Sequence, residues 1–383
     1  MDELGDRDPV RVLRIIGRMN VGGPAFLVIA LMRGIDSGRI HQSLVSGEVL
    51  GNEKEVEFQN LGFEYTRLRF LSREVSLLSD LRALRAIVKV IRGFNPEIVD
   101  THTFKAGLLG RIACLMFLNR KPIMIHHYHG HLLYGYFGKV KKTIYIQIEK
   151  VLSKFSDALV VDSAKIASQL MLEGIGNAQS YREILPGVSG PDKSTNPKRS
   201  RSDIYRIGFI GRFEPIKQPL HFLEVAREIL HTDGKFLFRM IGEGSLSGLI
   251  EKNVRCENLD ISISPFVPDI YSVLSEIDIL IMTSLNEGTP LIIMEAAYCG
   301  VPTISYDVGS VDRVIQHGKT GLICGTSTAE ISESIKTMTA SEETYEEFSS
   351  NARRFAETSF SLERYSKAHE DLYLELLAIK SLQ

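Results

Sequence analysis

The sequence contains only four cysteines in 383 residues, and none of them stands at the C-x-x-C spacing of a zinc knuckle or a redox pair. Four isolated thiols are typical of a reduced protein of the cytosol, which is the compartment we expect. The N-terminal stretch MDELGDRDP is acidic and has no apolar core, so we expect no signal peptide. No run of about 18 uncharged apolar residues occurs, which argues against a helix that spans a membrane.

Charge is close to balance over the whole chain but not along it. Lys and Arg together number 45 and Asp and Glu 47, which gives a net charge of −2 at pH 7. A protein that holds nucleic acid by bulk charge would be far more basic, so we expect no nucleic-acid partner. Between Arg67 and Lys154, however, there are 16 basic and only five acidic residues. The basic excess therefore falls in the N-terminal half of the chain.

The length and the apolar pattern predict two domains of alternating strands and helices. A chain of 383 residues with 44% apolar residues is long enough for two cores of ordinary size. Short runs rich in Val and Ile alternate with helical stretches, which is the pattern of parallel sheets covered on both faces. The predicted strands are Val10–Ile16, Ile98–Thr101, Ile123–His127, Ala158–Val161, Arg206–Gly211, Phe236–Gly242, Asp260–Ser264, Asp278–Thr283 and Thr303–Tyr306, and the predicted helices include Leu77–Arg92 and Val140–Phe155.

A polar stretch rich in proline, glycine and serine separates the two halves. Residues 186–203 read PGVSGPDKSTNPKRSRSD and offer almost nothing apolar to a core. We therefore predict a first domain over residues 1–188, a linker over 189–203 and a second domain over 204–360. The C-terminal tail is helical by pattern, and its last part, about 361–383, could pack on its own domain or cross back to the first.

Loops beyond the carboxyl ends of the strands are the candidate sites, because ligands of open α/β sheets bind there. Gly22 and Gly23, in NVGGP after the first predicted strand, would let a ligand approach the backbone where a helix begins. The absence of a G-x-G-x-x-G pattern disfavours a dinucleotide. A tight turn without any ligand explains a glycine pair equally well.

Four histidines occur in the six residues His126–His131 (HHYHGH), at the end of a predicted strand. They could be metal ligands, provide one imidazole aimed at a substrate, or be structural side chains. Neighbouring residues on a strand point to opposite faces, so His126 and His127 are not expected to converge on a metal ion. One functional histidine is the interpretation we favour.

Two cations follow the first predicted strand of the second half. In FIGRFEPIKQ the strand ends at Gly211, and Arg212 and Lys217 come in the loop after it. A planar guanidinium and an ammonium group five residues apart can hold one diphosphate between them. Two solvated surface charges are the alternative.

The segment SLNEGTPLIIMEAAYCGVP is the most informative motif of the chain. Glu287 precedes Gly288, Thr289 and Pro290 in a loop that opens a helix, whose free N–H groups suit a phosphate. Glu295 lies in an apolar stretch, where a carboxylate has to be paired or to reach a ligand. At 100° per residue it would lie about 80° from Glu287 around a helix. A charge at the helix start and a structural ion pair are the alternative explanation of the two carboxylates.

These motifs resemble those of the retaining glycosyltransferases of family 4. GRFEPIKQP, IGEG and NEGTPLIIMEAAYCGVPTI resemble its C-terminal domain, whose signature is two Glu separated by seven residues, here Glu287 and Glu295. NVGGPAFLVIAL, THTFKAGLLGRIA and HYHGHLLYGYF resemble the bacterial members that build surface polysaccharides. The resemblance covers about residues 10–325. Gln218 departs from it, because the family commonly has glycine there, and this leaves the conformation of the loop open.

The resemblance implies a GT-B fold, in which two Rossmann-like α/β domains with parallel sheets face each other across a deep cleft. It implies a hexosyltransferase that moves a sugar from a nucleotide-diphosphate sugar to a glycan or lipid-linked acceptor with retention of configuration, and we expect a UDP-sugar. It implies no cofactor and no divalent metal. The D-x-D triplet at Asp6–Asp8 stands in the polar N-terminal tail, away from any predicted strand end.

The resemblance also assigns roles to the residues that match its motifs. Arg212 and Lys217 would bind the donor diphosphate, and Glu287 would contact the hydroxyls of the donor sugar. Glu295 would bind the ribose hydroxyls, and His129, in preference to His131, would line the sugar site. The remaining positions are Gly288, Thr289, Pro290 and Leu291 around the distal phosphate, and Gly22 and Gly23 beside the phosphates and the acceptor.

Two other functions share parts of this pattern. A non-hydrolysing epimerase of nucleotide sugars has the same two-domain architecture, but it would convert its donor without any acceptor. A non-catalytic protein would bind a nucleotide sugar and transfer nothing. The presence of both carboxylates and both cations argues against the second of these.

The basic N-terminal half of the chain suggests a surface that contacts a membrane, where a lipid-linked acceptor would be located. The segment Leu132–Lys142 (LLYGYFGKVKK) sets three aromatic residues beside three lysines. Aromatic rings interleaved with cations suit the interface of an anionic membrane, and a solvated basic face is the alternative. We therefore expect a cytoplasmic protein that docks peripherally on the inner face of the cell membrane.

Overall fold

The computed structural model describes residues 8–50, 55–56, 62–63, 65–72, 76–117, 121–130, 138–191, 204–230, 235–267 and 269–382. The chain divides into two compact units. The first contains the described residues up to 187 together with 362–382, and the second contains the described residues from 188 to 361. Four sets of residues named above lie outside the described residues: Asp6, His131, residues 192–203 of the predicted linker, and residues 132–137, which include all three aromatic residues of Leu132–Lys142.

The first unit is a parallel sheet covered by helices. Its strands, over the described residues, are β1 (Val10–Ile16), β2 (Ile40–Gly47), β3 (Tyr65–Leu68), β4 (Ile98–His102), β5 (Ile123–Tyr128), β6 (Ala158–Val161) and β7 (Tyr181–Glu183). Its helices are α1 (Gly23–Gly34), α2 (Leu77–Phe94), α3 (Phe104–Leu115), α4 (Lys139–Ser153) and α5 (Ala164–Leu172). The strands pair in the order β3-β2-β1-β4-β5-β6-β7, each parallel to its neighbours.

Alternation along β1 and β4 gives the two faces of this sheet different environments. Leu13 and Ile15 belong to an apolar core with residues of α2 and α3. Ile16, on the other face, packs with residues of α1. Arg14 shares that second face, and the register of the parallel strands sets it directly beside Asp100 of β4.

The second unit repeats the scheme. Its strands, within the described ranges, are β8 (Tyr205–Ile210), β9 (Phe236–Ile241), β10 (Ile261–Ser264), β11 (Ile279–Met282), β12 (Thr303–Tyr306) and β13 (Gly321–Cys324). Its helices are α6 (Pro219–Leu230), α7 (Ser247–Cys256), α8 (Ile270–Leu274), α9 (Leu291–Tyr298), α10 (Thr328–Met338) and α11 (Glu342–Ser359). The strands pair in parallel in the order β10-β9-β8-β11-β12-β13. A core of aromatic and aliphatic side chains lies between this sheet and its helices.

All nine predicted strands are present, with ends within one residue of the prediction. The helix that follows α11, α12 (Leu362–Ser381), belongs to the first unit. No helix of the described residues combines the length and the apolar character needed to cross a bilayer.

Helix α12 completes a buried ion pair of the first sheet. Arg14 Nη1 lies 2.5 Å from Asp100 Oδ2, and both side chains are fully buried. The hydroxyl of Tyr373, on α12, donates to Asp100 Oδ2 at 2.6 Å and accepts from Arg14 Nη1 at 2.8 Å. Three side chains without access to water, those of Arg14, Asp100 and Tyr373, thus join β1, β4 and α12.

We predict that Asp100→Asn destabilises the chain strongly, by about 3–5 kcal/mol, because it leaves the Arg14 guanidinium buried and uncompensated. The control is Glu97→Gln, which breaks the partly exposed pair between Arg11 of β1 and Glu97, the residue just before β4, for about 1 kcal/mol or less. Urea unfolding followed by circular dichroism measures both. Equal small losses for the two variants would contradict the structural role of the buried pair.

Candidate functional site

The strand order of the second sheet reverses between β8 and β11, which is where open α/β sheets bind ligands. Arg212 and Lys217 lie in the loop that follows β8, and Glu287 lies in the loop that follows β11. Lys217 Nζ donates to Glu287 Oε1 in an ion pair whose members are both mostly buried. Arg212 is exposed. The structure therefore brings Lys217 and Glu287 together at the switch point of the sheet.

Hydrogen bonds hold these two loops against each other. The Thr283 hydroxyl donates to the carbonyl oxygens of Lys217 and Gln218, both at 2.9 Å. The Leu285 N–H donates to the Ile216 carbonyl at 2.9 Å. Gln218 adopts a left-handed conformation with φ of 52°, which glycine takes with less strain. The loop therefore keeps a glycine-like turn although glutamine stands there.

Two glycines allow neighbouring loops to approach closely. A Cβ at Gly242, in the IGEG loop after β9, would lie 1.9 Å from the carbonyl oxygen of Gly211. A Cβ at Gly309, after β12, would lie 2.0 Å from the carbonyl oxygen of Glu287. Both glycines have positive φ. A side chain at Gly242 would therefore displace the loop that carries Arg212, and a side chain at Gly309 would displace the loop that carries Glu287.

A pocket of about 400 Å³ opens beside the loop that carries Arg212. A volume of this size suits one small molecule. Its walls come from the loops after β8, β9 and β10 and from the start of α7. The lining residues are Phe213, Gly242, Glu243, Gly244, Ser247, Glu251, Ile263, Ser264 and Pro265.

Helix α9 begins beside Glu287 without a capping side chain. Pro290 is its N-cap residue, no side chain caps it, and no acidic residue lies in its first turn. The Thr289 hydroxyl is buried and has no hydrogen-bond partner among the described residues. An open helix start and an unsatisfied hydroxyl are suited to an anion, so Gly288–Leu291 can hold a phosphate oxygen.

Glu295 lies in α9, whereas Glu287 does not. Because the helix begins at Leu291, the predicted relation of 80° around one helix is wrong, and the loop sets the position of Glu287 instead. No hydrogen bond or ion pair of the Glu295 carboxyl is seen among the described residues, and burial raises its pKa to about 7. A half-buried carboxyl without a partner is free to accept hydrogen bonds from a ligand.

In the first unit, the strand order reverses between β1 and β4. The Gly17 N–H, just after β1, donates to Thr103 Oγ1 at 3.1 Å. Thr103 has φ of 69°, which is rare for a β-branched residue and typical of strained functional loops. Gly22 is extended and precedes Gly23, the first residue of α1, which no side chain caps. A Cβ at Gly22 would meet only Asn20, at an ordinary distance, so the fold itself does not require a glycine at this position.

The histidines of β5 point to opposite faces, as strand geometry predicts. His126 faces α3, close to Gly107. Its Nδ1 lies 2.9 Å from Oγ1 of Thr101, on the neighbouring strand β4. His127 lies on the other face, 2.8 Å from Asp100. His129 Nε2 lies 2.8 Å from His102 Nδ1 at the end of β4.

Four histidines of the first unit come together in what we call the histidine cluster: His102, His127, His129 and His369 of α12. Their rings form a continuous stack, with centroids 4.3 to 5.6 Å apart. Of these four, His127 and His129 belong to the predicted HHYHGH motif, whereas His102 and His369 were not predicted as functional residues. The signal for His102 was its place at the end of β4, because the register sets it beside His127.

Burial disfavours the charged form of three imidazoles of this cluster, those of His102, His129 and His369. It lowers the pKa of His102 well below its usual value and that of His129 to about 3. Burial alone would raise the pKa of Asp100, but the neighbouring His127, His102 and Arg14 hold it well below its usual range. Arg14 and Asp100 therefore form a buried ion pair beside the rings of the histidine cluster.

Both halves of the chain match family models. Residues 192–355 match the glycosyl transferases group 1 model, and residues 22–180 match the glycosyl transferase 4-like domain model. The Escherichia coli UDP-Gal:alpha-D-GlcNAc-diphosphoundecaprenol alpha-1,3-galactosyltransferase is 24% identical over 81% of this chain and 83% of its own length. The capsular polysaccharide biosynthesis glycosyltransferase CapM of Staphylococcus aureus is 24% identical over 79% of this chain and 83% of its own.

Solved structures share the fold. Anabaena Alr3699/HepE in complex with UDP superposes with a TM-score of 0.78 at 15% identity, over 96% of this chain and all of that one. Sucrose-phosphate synthase of Thermosynechococcus elongatus gives a TM-score of 0.82 at 17% identity, over 97% and 100%. The predicted fold class, GT-B with two Rossmann-like α/β domains, is confirmed. The chain belongs to the glycosyl transferases of group 1, with a glycosyl transferase 4-like N-terminal domain.

Proposed function

We propose that this glycosyltransferase moves a hexose, with retention of configuration, from a UDP-sugar to a glycan or lipid-linked acceptor in polysaccharide biosynthesis. The observation that carries the proposal is the second unit's switch point. There Lys217 and Glu287 meet beside the uncapped start of α9. Glu295 lies in that helix, and no described residue forms a hydrogen bond or ion pair with its carboxyl. This set of groups matches a ligand with phosphate at its centre and hydroxyls at both ends.

The leaving diphosphate defines the catalytic task. Glycosyl transfer passes through a cationic, oxocarbenium-like sugar while negative charge develops on the leaving group. Arg212, Lys217 and the N–H groups at the start of α9 would stabilise that charge as preorganised donors. Lys217 would exchange its ion pair with Glu287 for the diphosphate, which releases Glu287 for the sugar hydroxyls. No protein group has to be a covalent nucleophile, because the leaving phosphate can take the acceptor's proton.

His129 and Glu295 would act at the two ends of the donor. The neutral ring of His129 is suited to a hydrogen bond with a sugar hydroxyl, since its pKa of about 3 leaves it uncharged at pH 7. The Glu295 carboxylate would accept hydrogen bonds from the ribose, and Gly22 and Gly23 would border the acceptor. Because cations and helix N–H groups take the phosphate charge, we propose that transfer needs no metal ion or other cofactor.

The relatives support the choice of donor and acceptor class. The E. coli relative is named for UDP-Gal and a diphosphoundecaprenol-linked acceptor. Alr3699/HepE, at 15% identity, was solved with UDP. We propose a UDP-sugar and a lipid-linked or glycan acceptor for this chain on that basis.

A lipid-linked acceptor would require the first unit to reach a membrane surface. On α4, Val140 is 73% exposed, and Ile144 and Val151 are each 55% exposed, with Lys141 beside them. These three apolar residues recur at helical spacing on one stripe. An exposed apolar stripe next to cations suits the interface of an anionic leaflet. We therefore propose peripheral docking on the cytoplasmic face of the membrane.

We predict that Arg212→Ala and Lys217→Ala each lower kcat more than about tenfold, because each removes charge stabilisation from the transition state. Turnover of nucleotide sugar with a lipid-linked acceptor measures this, and thermal unfolding checks that the fold survives. Arg227→Ala is the control, since it removes a cation from an exposed ion pair with Glu257 in the same unit. Full turnover in both test variants would make the phosphate assignment wrong.

We predict that binding of a nucleotide sugar strengthens about tenfold between pH 6 and pH 8. The ligand favours the charged Glu295 carboxylate, so binding releases its proton and gains as pH rises through its pKa of about 7. A nucleotide sugar is the right probe, because its phosphodiester groups do not titrate in this range. Calorimetric titration of Glu295→Gln should give a flat profile. A flat profile in the unmodified chain would rule out ionised Glu295 as a ligand group.

We predict that the chain floats with anionic liposomes at low salt and that Val140→Glu/Ile144→Glu abolishes flotation, because the charges prevent insertion of the α4 stripe. Leu249→Glu, an exposed leucine of the second unit, is the matched control. Neutral liposomes should bind weakly. Absence of flotation for the unmodified chain on anionic lipid would contradict membrane docking.

A further inference from the structure

The histidine cluster contains more unsatisfied polar atoms than a finished core would have. Within the described part of the chain, Asp100 Oδ1 and the Nε2 atoms of His102, His127 and His369 are buried without a hydrogen-bond partner. His127 Nε2 is 2.8 Å from Asp100 Oδ1 and His102 Nε2 is 3.6 Å from it, which are ion-pair distances without good hydrogen-bond geometry. Unpaired buried groups are costly, so this set points to a bound group that satisfies some of them.

Three of the rings are arranged to share one ion. His102, His127 and His129 each offer a nitrogen, and these three atoms lie within 4.8 Å of one another. Zn²⁺ holds imidazole nitrogen at about 2.0–2.1 Å, so three ligand atoms need side-chain shifts of only about 1 Å to reach one ion.

The surroundings match those of a metal site. Metal-bound histidines commonly have a carboxylate behind them that fixes the ring, and Asp100 lies 2.8 Å from His127. Asp100 is itself held by Arg14 and Tyr373. If His102 binds through Nδ1, its proton moves to Nε2, on the side of the unpaired Asp100 Oδ1. Metal binding would then pair two of the unsatisfied atoms, with His102 Nε2–H as the donor and Asp100 Oδ1 as the acceptor.

Charge is the main cost of such a site. Asp100 already balances Arg14, so a divalent ion would add a net charge among buried groups. His129, unlike His102 and His127, is only partly buried. A water or an anion can therefore complete the coordination from that side and share the charge.

We propose that His102, His127 and His129 form a site for a borderline transition metal of the Zn²⁺ class, separate from the chemistry of transfer. An ion bound at this site would be coordinated by a ring nitrogen of His129. Resting on the function proposed above, this makes the metal an inhibitor, because an engaged His129 is withdrawn from the donor sugar. Transfer that is independent of metal and a site that binds metal are therefore compatible.

Titration of Co²⁺ and Zn²⁺ into the chelator-stripped full chain tests the site without reference to activity. We expect one ion per chain, with visible Co²⁺ absorption typical of nitrogen ligands. His102→Gln and His127→Gln should each weaken binding about tenfold or more. His41→Gln, an exposed histidine of the same unit, and His126→Gln, which alters the opposite face of β5, should bind as the unmodified chain does. Circular dichroism confirms folding of each variant.

Two results would overturn the proposal. One is a chain that binds no ion, which would mean that water alone satisfies these atoms. The other is binding that survives both His102→Gln and His127→Gln, which would place the ion elsewhere.

Activity is a separate measurement. Zn²⁺ should lower the transfer rate of the unmodified chain, and the same Zn²⁺ concentration should remove a smaller fraction of the His102→Gln variant's own rate. A site that binds metal in a chain that transfers no sugar would refute the proposed function and leave the metal site standing. A chain that transfers sugar but binds no metal would refute the metal site and leave the proposed function standing.

Discussion

The parallel direction of the strands is the constraint on which the rest of this molecule depends. Parallel strands end at one edge of their sheet, so the loops that follow them meet there whatever their distance in sequence. In the second unit this brings Lys217 to Glu287, 70 residues further along. In the first unit it sets His102 beside His127 through the register of β4 and β5. Both candidate sites follow from this topology.

The two units use charge in different ways. The first unit buries a compensated pair, Arg14 with Asp100, and ties it to α12 through Tyr373. The pair keeps β1, β4 and the histidine cluster in fixed relation. In the second unit, by contrast, no described residue pairs with the Glu295 carboxyl in the middle of α9, and burial raises its pKa. A fixed network suits positioning, whereas an unsatisfied carboxyl suits binding of a ligand.

The sequence predicted more of the second site than of the first. Continuous apolar runs such as ILIM of β11 identified the buried strands. Four strands were not predicted: β2 and β3 because they contain polar residues, and β7 and β13 because they are short. The residues of the second site lie in contiguous motifs, which the sequence displays directly. The histidine cluster depends on strand register and on His369, about 240 residues from His129, and no local pattern reports such a contact. The predicted offset of 80° between Glu287 and Glu295 extended helical geometry into the loop before α9, although Gly288 and Pro290 there already indicated that the helix begins after Glu287.

The central claim is that the chain transfers a sugar from a nucleotide-diphosphate donor and keeps its anomeric configuration. Proton NMR of the full chain with a UDP-sugar and a lipid-diphosphate-linked acceptor, in the presence of a chelator, tests it most directly. The account predicts a new glycosidic anomeric signal with the donor's configuration, and only when the acceptor is present. An inverted product, an epimer of the donor formed without acceptor, or donor binding with no transfer to any acceptor would contradict it.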